Sequence, residues 1–221
     1  GPVPQYGSGT ISVVDISTPE APTLTTTIDL PFEQPLGMVV RGRTLYVVCA
    51  GAFGEDYLPV TSGGVVTIDA ETNEIISQID MGLTAPGPTV VLRGDIAYVP
   101  SALGVHLLKV NVAQGSVLRG EDNPVTLSDA DGYASWVTLG PDNRLYVTSF
   151  QEDIVYVLDP DTDSVLDAAP DVEGVDGYLL DESADLGVGP VASAFWERAS
   201  EPDQLFVVNT LANNLAAITL R

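Results

Sequence analysis

An apolar strand that ends in Asp or Asn, followed directly by a turn, recurs four times along this chain. The residues that end these strands are Asp15, Asp69, Asn111 and Asp159, which lie 54, 42 and 48 residues apart. A repeat of about 40 to 50 residues made of short strands is typical of a β-propeller, in which each repeat forms one four-stranded blade. The repeat therefore predicts an all-β chain whose antiparallel blades are arranged around a central axis.

Each repeat divides into four predicted strands, a to d, according to its apolar alternation and its turn residues. The aromatic residues of strand b share one register and are Tyr46, Tyr98, Tyr146 and Phe206. The Asp or Asn that ends strand c is expected to accept hydrogen bonds from backbone N–H groups two or three residues later. Trp136 and Trp196 fall at strand positions, where packing between blades is the expected role. No segment combines an amphipathic helical period with caps at both ends, so no helix beyond a turn or two is expected.

The order of the predicted strands is c-d at the N-terminus, three complete units, and a-b-c at the C-terminus, which gives about five blades. Both ends supply a strand c, in segments 9–15 and 214–220, whereas a ring that closes on itself needs only one of them. Two interpretations stay open: a segment of a longer propeller, or a five-bladed ring with an irregular closing blade. The single predicted domain, residues 1–221, contains units at approximately 1–31, 32–82, 83–129, 130–172 and 186–221.

The fourth unit carries the most specific sequence pattern. Its strand b reads Leu145-Tyr146-Val147-Thr148-Ser149, and its strand c ends in Asp159-Pro160-Asp161-Thr162. These segments resemble the YVTN-type repeats of bacterial and archaeal propellers, and the resemblance extends over essentially the whole chain. It implies an extracytoplasmic protein, located in the periplasm, at the cell surface or secreted. Because this broad group includes surface proteins, lyases and binding modules, the fold by itself does not specify an activity.

The charge of the chain restricts its partners. It contains 31 acidic and 8 basic residues, with a formal net charge of −23. Binding to nucleic acid requires a basic surface, and anionic membrane surfaces repel such a protein, so neither partner is expected. No apolar run is long enough to span a bilayer, which argues against membrane insertion. The acidity suits solubility in salt, cation binding or a basic partner.

The inventory of nucleophiles and bases argues against catalysis. The single cysteine, Cys49, follows a strand b and is predicted to be a buried small hydrophobe. The single histidine, His106, lies within a predicted strand. With one residue of each kind, neither a zinc or copper site nor a Ser-His-Asp set is expected. The sequence therefore favours a protein that is not an enzyme.

Two acidic segments are candidates for calcium binding. Asp159, Asp161 and Asp163 alternate as in a calcium loop, but the glycine and the terminal Glu of such a loop are missing, which favours a structural turn. The insertion 171–189 is the better candidate, with a solvated acidic loop as the alternative. Its candidate metal ligands are Asp171, Glu173, Asp176, Asp181, Glu182 and Asp185. No cofactor other than calcium is expected.

A binding surface is predicted where the strands a begin, because these segments line the mouth of a propeller channel. In this chain they are poor in carboxylates, unlike a lactonase-type site that holds calcium there. A second insertion, 50–64, lengthens a b–c connection and presents aromatic residues, which are frequent anchors of interfaces. The candidate binding residues are Gln34, Phe53, Tyr57, Tyr133, Ser135 and Tyr178.

Three functions are compatible with these observations. The first is a non-enzymatic, extracytoplasmic module that binds a protein or a small ligand, or serves as a scaffold within a larger assembly or longer chain. The second is a calcium-dependent propeller hydrolase or lyase. The third is an acidic docking partner of an electron-transfer protein, for which the strong negative charge supplies electrostatic steering.

Overall fold

Every regular element in the described part of the chain is a β-strand. A computed structural model describes residues 7–168, 176–180 and 187–220. Four antiparallel sheets form the blades of a β-propeller, and a fifth sheet of two strands precedes them. The predicted all-β propeller is confirmed, with four blades and a partial one in place of about five. No helix among the described residues is long and apolar enough to cross a membrane.

The first four strands of each complete blade follow the chain in up-and-down order, and in blades 2 and 3 a short fifth strand pairs with the third one. The two-stranded sheet consists of β1 (Ser8–Asp15) and β2 (Thr23–Glu33). The strands of blade 1 are β3 (Pro35–Arg41), β4 (Thr44–Cys49), β5 (Gly64–Asp69) and β6 (Ile75–Asp80). The strands of blade 2 are β7 (Val91–Arg93), β8 (Ile96–Pro100), β9 (His106–Asn111), β10 (Ser116–Arg119) and β11 (Val125–Thr126).

Blades 3 and 4 complete the arc. The strands of blade 3 are β12 (Ala134–Leu139), β13 (Leu145–Ser149), β14 (Ile154–Asp159), β15 (Ser164–Leu166) and β16 (Gly177–Leu179). The strands of blade 4 are β17 (Pro190–Trp196), β18 (Gln204–Asn209) and β19 (Asn214–Thr219). In terms of strand type, the two-stranded sheet is c-d and blade 4 is a-b-c, in agreement with the order predicted from sequence.

Strand a of blade 2 is shorter than the sequence suggests. The apolar segment 87–91 predicts a strand, whereas β7 begins only at Val91. Pro88 has no backbone N–H to donate to a ladder, and an isolated bridge between Pro86 and Ser101 is the pairing found before it. The chain therefore enters blade 2 as an irregular segment near the axis.

The recurrent Asp or Asn at the end of strand c forms the predicted turn in all four copies. The Asp69 Oδ1 atom accepts hydrogen bonds from the backbone N–H groups of Glu71 and Thr72, at 2.9 and 3.1 Å. Equivalent bonds from the second or third following N–H group are accepted by Asp15, Asn111 and Asp159. The side chain thus holds the turn, and the sequence repeat is explained by backbone geometry alone.

The hydrophobic core consists of four clusters, each of which lies between two successive sheets. Strand b alternates between two of them: Leu145 and Val147 face blade 2, whereas Tyr146 faces blade 4. Cys49 is fully buried in the cluster under the two-stranded sheet, as predicted. Among the described residues, no cluster combines the two-stranded sheet with blade 4. The ends of the arc therefore do not share a core.

Basic side chains bind successive blades together. The guanidinium of Arg41 in blade 1 donates to the carbonyl oxygen of Gly94 in blade 2. Arg93 of blade 2 forms a bidentate pair with Asp161 of blade 3, at 2.6 and 2.8 Å. Lys109 and Arg119 of blade 2 both donate to Asp163, at 2.7 and 2.9 Å.

These ion pairs give the acidic turn after β14 a structural role. Asp161 and Asp163 are each engaged by cations of the neighbouring blade, and the side chain of Asp163 is only 13% exposed. The Asp159 carboxylate is used within its own turn. Asp161 and Asp163 thus contribute to the junction between blades 2 and 3, while Asp159 closes its own turn.

Candidate binding site at the propeller axis

A cavity of about 190 Å³ lies where the strands a of all four blades converge. Its wall combines segments from the beginning of β3, the entry to β7, the beginning of β12 and the beginning of β17. The lining residues are Leu36, Ala50, Phe53, Pro86, Gly87, Pro88, Ala102, Tyr133, Ala134, Ser135 and Val191. None of these described lining residues is acidic or basic. We refer to this cavity as the axial pocket.

The backbone of the axial pocket is closely packed. Gly37 of β3 lies so near the carbonyl oxygen of Pro88 that a side chain at this position would collide with the backbone of the next blade. Two larger clefts, of about 400 and 430 Å³, open away from the axis. The axial pocket differs from them because every blade contributes to it and its walls are mainly apolar. This is the composition expected of a small-ligand site.

Two aromatic residues predicted for binding lie in the axial pocket. Phe53 is held by a bridge to Pro59 within the connection between β4 and β5. Tyr133 stacks on Phe150 with ring centroids 5.3 Å apart. Burial raises the pKa of Tyr133, so its phenol stays protonated and able to donate a hydrogen bond at neutral pH. The two rings give the pocket an aromatic rim with one polar group.

Ser135 also lines the pocket, but its hydroxyl group serves the structure. It lies 2.6 Å from the carbonyl oxygen of Pro190, to which it donates, and 2.7 Å from the Thr148 hydroxyl. The first bond joins blade 3 to blade 4. We therefore assign Ser135 a role in positioning the pocket wall.

The other three predicted binding residues lie apart from the pocket wall. Gln34 adopts a positive φ of 52° and its Nε2 atom donates to the Gly51 carbonyl at 2.6 Å, which fixes the chain beside Ala50. Tyr57 is 84% exposed in the connection between β4 and β5. Tyr178 lies on β16 and packs against the core between blades 3 and 4. The structure thus brings together Phe53, Tyr133 and Ser135 only.

Sequence reasoning missed the aliphatic part of the wall. Leu36 and Val191 occupy equivalent places near the start of strand a in blades 1 and 4. The signal that could have found them is the recurrent Pro or Gly at the entry to strand a, which marks the chain segments nearest the axis. Choosing candidates by aromatic character overlooked these shorter side chains.

The remaining reactive groups lie outside the axial pocket. Burial raises the pKa of the Cys49 thiol to about 12, so it is not a nucleophile at neutral pH. Burial lowers the pKa of His106, against a smaller opposing influence of the Asp129 charge. The described residues contain no group of three or more acidic, His or Cys side chains arranged to hold a metal.

The predicted calcium ligands are largely beyond what the structure describes. Asp171, Glu173, Asp181, Glu182 and Asp185 lie outside the described residues, and only Asp176 lies within them, at an exposed position. Calcium binding by this insertion therefore stays a prediction. The insertion does contribute β16, which pairs with β14 of its own blade.

Solved propeller structures share this fold. A proposed 6-phosphogluconolactonase of Bacteroides fragilis has a TM-score of 0.62 at 13% sequence identity, covering 91% of this chain and 57% of that one. The Dos1 propeller has a TM-score of 0.58 at 9% identity, covering 89% of this chain and 44% of that one. The computationally designed protein Ika4 has a TM-score of 0.54 at 9% identity, covering 85% and 91%.

The similarity at these identities shows the fold alone. No protein-family model matches the chain, and no curated protein matches its sequence. The YVTN-type resemblance and the extracytoplasmic location therefore stay predictions. The chain spans about half the length of the lactonase and Dos1 chains. What is established is a β-propeller of four blades with an apolar pocket on its axis.

Proposed function

We propose that this protein is a non-catalytic binding module whose axial pocket accepts one aromatic ring, from a small ligand or from a side chain of a protein partner. The observation that carries the proposal is an apolar cavity built by all four blades and bordered by Phe53 and Tyr133. An apolar cavity of about 150 Å³ is large enough to hold benzene. The axial pocket, at about 190 Å³, is therefore of the right size for one ring.

The wall chemistry favours recognition without turnover. The Tyr133 hydroxyl offers one hydrogen bond, whereas the Ser135 hydroxyl is already engaged by Pro190 and Thr148. A general base would have to come from His106 or a carboxylate, and neither type of residue is among the described lining residues. Binding of a phenol needs only the apolar wall and one hydrogen-bonding group.

Saturation-transfer NMR with single-ring aromatic fragments, followed by titration, tests this proposal. The Phe53→Ala variant should bind the best fragment about 5- to 10-fold more weakly, because an aromatic contact contributes about 1 kcal/mol. Tyr57→Ala is the matched control, since Tyr57 lies in the same connection but outside the pocket wall. If no fragment binds at millimolar concentration, or if both variants bind alike, the pocket is not the site.

We place the protein outside the cytoplasm on the strength of the YVTN-type resemblance, and antibody detection in cell fractions tests that location. Among the described residues, acidity is the one feature that favours either a calcium-dependent hydrolase or lyase or an electron-transfer docking role. Calcium titration by calorimetry, together with melting curves before and after chelation, tests the calcium-dependent alternative. A calcium-dependent rise in melting temperature would support the acidic insertion as a metal site.

A further inference from the structure

A second cavity, of about 170 Å³, lies beside blade 2. Its walls come from the connection between β6 and β7, the connection between β8 and β9, strand β9 itself, and the connection between β10 and β11. We call this cavity the blade 2 pocket. The lining residues are Leu83, Thr84, Ser101, Leu103, His106, Leu108, Gly120, Glu121 and Pro124.

The blade 2 pocket and the axial pocket share one strip of chain, residues 101–103. Ser101 and Leu103 line the blade 2 pocket, whereas Ala102 lines the axial pocket. The Ser101 hydroxyl donates to the Thr84 carbonyl oxygen at 2.9 Å and accepts from the backbone N–H of Leu103 at 3.0 Å. The Ala102 N–H donates to the carbonyl oxygen of Ala85 at 3.0 Å. The blade 2 pocket is therefore a separate site with a hydrogen-bonded wall of its own.

This wall contains a buried hydroxyl group without a partner. Thr84 is 3% exposed, and no described residue forms a hydrogen bond with its Oγ1 atom. Most buried polar atoms in folded proteins are paired, and a hydroxyl that is removed from water without a hydrogen bond is unfavourable. The Thr84 hydroxyl therefore indicates a ligand group that the described chain does not supply.

Glu121 gives the pocket a negative charge. Its Oε2 atom lies over Gly82, where a β-carbon would be only 3.1 Å away. Glu121 belongs to none of the ion pairs between described residues. The chain around it carries a formal net charge of −23. The pocket therefore favours a cationic ligand.

His106 supplies a hydrogen-bond acceptor. It lies on β9 and faces the same side as Leu108, two residues later. Its ring packs against Gly104, where any side chain would collide with it. Burial lowers the pKa of His106 more than the charge of Asp129 raises it, so the ring is neutral at neutral pH. One ring nitrogen can then accept a hydrogen bond, and the ring does not repel a cation.

The rest of the wall is aliphatic. Leu108 is 1% exposed, and Leu83 and Leu103 are 40% and 38% exposed. No Phe, Tyr or Trp is among the described lining residues, so the aromatic faces that recognise quaternary ammonium groups are missing. A primary ammonium group fits better, because it has three N–H donors for a carboxylate, a hydroxyl and an imidazole.

We propose that the blade 2 pocket binds a primary alkylammonium group of four or five carbons, whose cation donates to Glu121, Thr84 and His106 and whose hydrocarbon chain packs against the leucines. The size agrees, because a cavity of about 150 Å³ holds the six carbons of benzene, and pentylammonium has five carbons and one nitrogen. A free amine and the lysine side chain of a protein share this chemistry. The site does not depend on what occupies the axial pocket.

NMR of the His106 ring during titration with n-pentylammonium chloride tests the proposal, since the single histidine reports on the pocket wall. We expect saturable shifts with a Kd on the order of 1 mM in about 0.15 M NaCl. From propyl- to pentylammonium the affinity should rise about 2- to 4-fold per methylene, because each one buries more apolar surface. The neutral 1-pentanol should bind about 10-fold more weakly, because it lacks the charge.

Three variants separate the contributions of the wall. Glu121→Gln should weaken pentylammonium binding about 5- to 10-fold and leave 1-pentanol binding unchanged. Asp122→Asn is the matched control, because it removes the same charge at an exposed position outside the pocket wall. Thr84→Val should weaken pentylammonium binding about 5-fold without lowering the melting temperature, because the hydroxyl has no partner in the free protein. Circular dichroism and melting curves establish that the variants fold.

N-acetyl-lysine methylamide distinguishes the two sources of the ammonium group. Binding as tight as that of pentylammonium supports a lysine side chain of a protein partner, whereas much weaker binding supports a free amine. Three results would overturn the proposal. They are an unchanged His106 signal up to about 50 mM pentylammonium, equal effects of Glu121→Gln and Asp122→Asn, and a melting temperature that Thr84→Val lowers, since the last shows that the hydroxyl already has a partner.

Discussion

The junction between blades 2 and 3 and the face of blade 4 that points away from blade 3 are made of similar residues but differ in burial. We call the second surface the outer face of blade 4; it consists of Ala194, Trp196, Phe206, Val208, Leu215 and Ala217. At the junction, Leu107, Leu145 and Tyr98 are almost completely buried. On the outer face, Leu215 and Trp196 are more than half exposed. The difference arises from the neighbour and not from the composition, because a propeller blade is apolar on both faces and depends on the adjacent blade to remove that surface from water.

Basic side chains also differ between the two regions, in where their ion-pair partners lie. At the junction, Arg93 and Lys109 reach across to Asp161 and Asp163 of the next blade. At the end of the arc, Arg198 turns back onto its own loop, where it pairs with Glu201, and lies over the Trp196 ring with its guanidinium carbon 5.5 Å from the centroid. Arg93 and Lys109 thus bridge two blades, whereas the charged partner of Arg198 among the described residues lies in its own loop.

The largest expected effect compares two leucines. Leu145→Ala removes a side chain that is 0% exposed at the junction, and Leu215→Ala removes one that is 59% exposed on the outer face. We expect Leu145→Ala to lower the free energy of unfolding by about 2–5 kcal/mol, through lost burial and a cavity. Leu215→Ala should cost less than about 0.5 kcal/mol in dilute monomer. Urea unfolding at low micromolar concentration measures both, and equal losses would contradict the difference in burial.

The next effect compares two carboxylates. Asp163→Asn leaves the Lys109 ammonium, 15% exposed, without its charged partner, and we expect a loss of about 1–2 kcal/mol. Glu201→Gln alters an exposed pair in blade 4 and should cost less than about 0.5 kcal/mol. Thermal or urea unfolding of the two variants supplies the comparison. If Glu201→Gln lowers the free energy of unfolding as much as Asp163→Asn does, an ion pair between blades contributes no more to stability than a pair within one loop.

The smallest effect is a pH dependence at the same junction. Burial alone would raise the pKa of Asp163, but hydrogen bonds from Lys109 and Arg119, together with their charges, outweigh it and hold the pKa below its ordinary value of 3.8. A lowered native pKa contributes stability above the unfolded value, which is lost as the pH falls through the native value. The stability difference between wild type and Asp163→Asn should therefore narrow from pH 5 to pH 2. A difference that stays constant over this range in urea titrations would refute the assignment.

Features set by neighbouring residues were predictable from sequence. The turns at Asp69 and Asn111 depend on atoms two or three residues away, and the register of Tyr98 and Tyr146 follows from strand alternation. Both features therefore recur as repeats in the amino-acid sequence. Burial of Cys49 followed from its position at the end of strand b. These features account for the strand order and for the predicted propeller.

Features set by contacts between distant residues were not predictable. Lys109 and Asp163 are 54 positions apart, and nothing local indicates their pairing. The aliphatic wall of the axial pocket depends on how four blades meet, which single-sequence patterns do not encode. The exposure of Trp196 depends on the absence of a following blade in the described chain, so its strand position alone led to the wrong expectation.

The most direct test of the exposed outer face of blade 4 is the fluorescence of Trp196. Trp136→Phe leaves Trp196 as the single tryptophan, because the chain contains two. We expect red-shifted emission and efficient quenching by acrylamide, because Trp196 is 55% exposed. Blue-shifted emission that is protected from acrylamide would show that the outer face of blade 4 is covered, and the described difference between the two regions would be wrong.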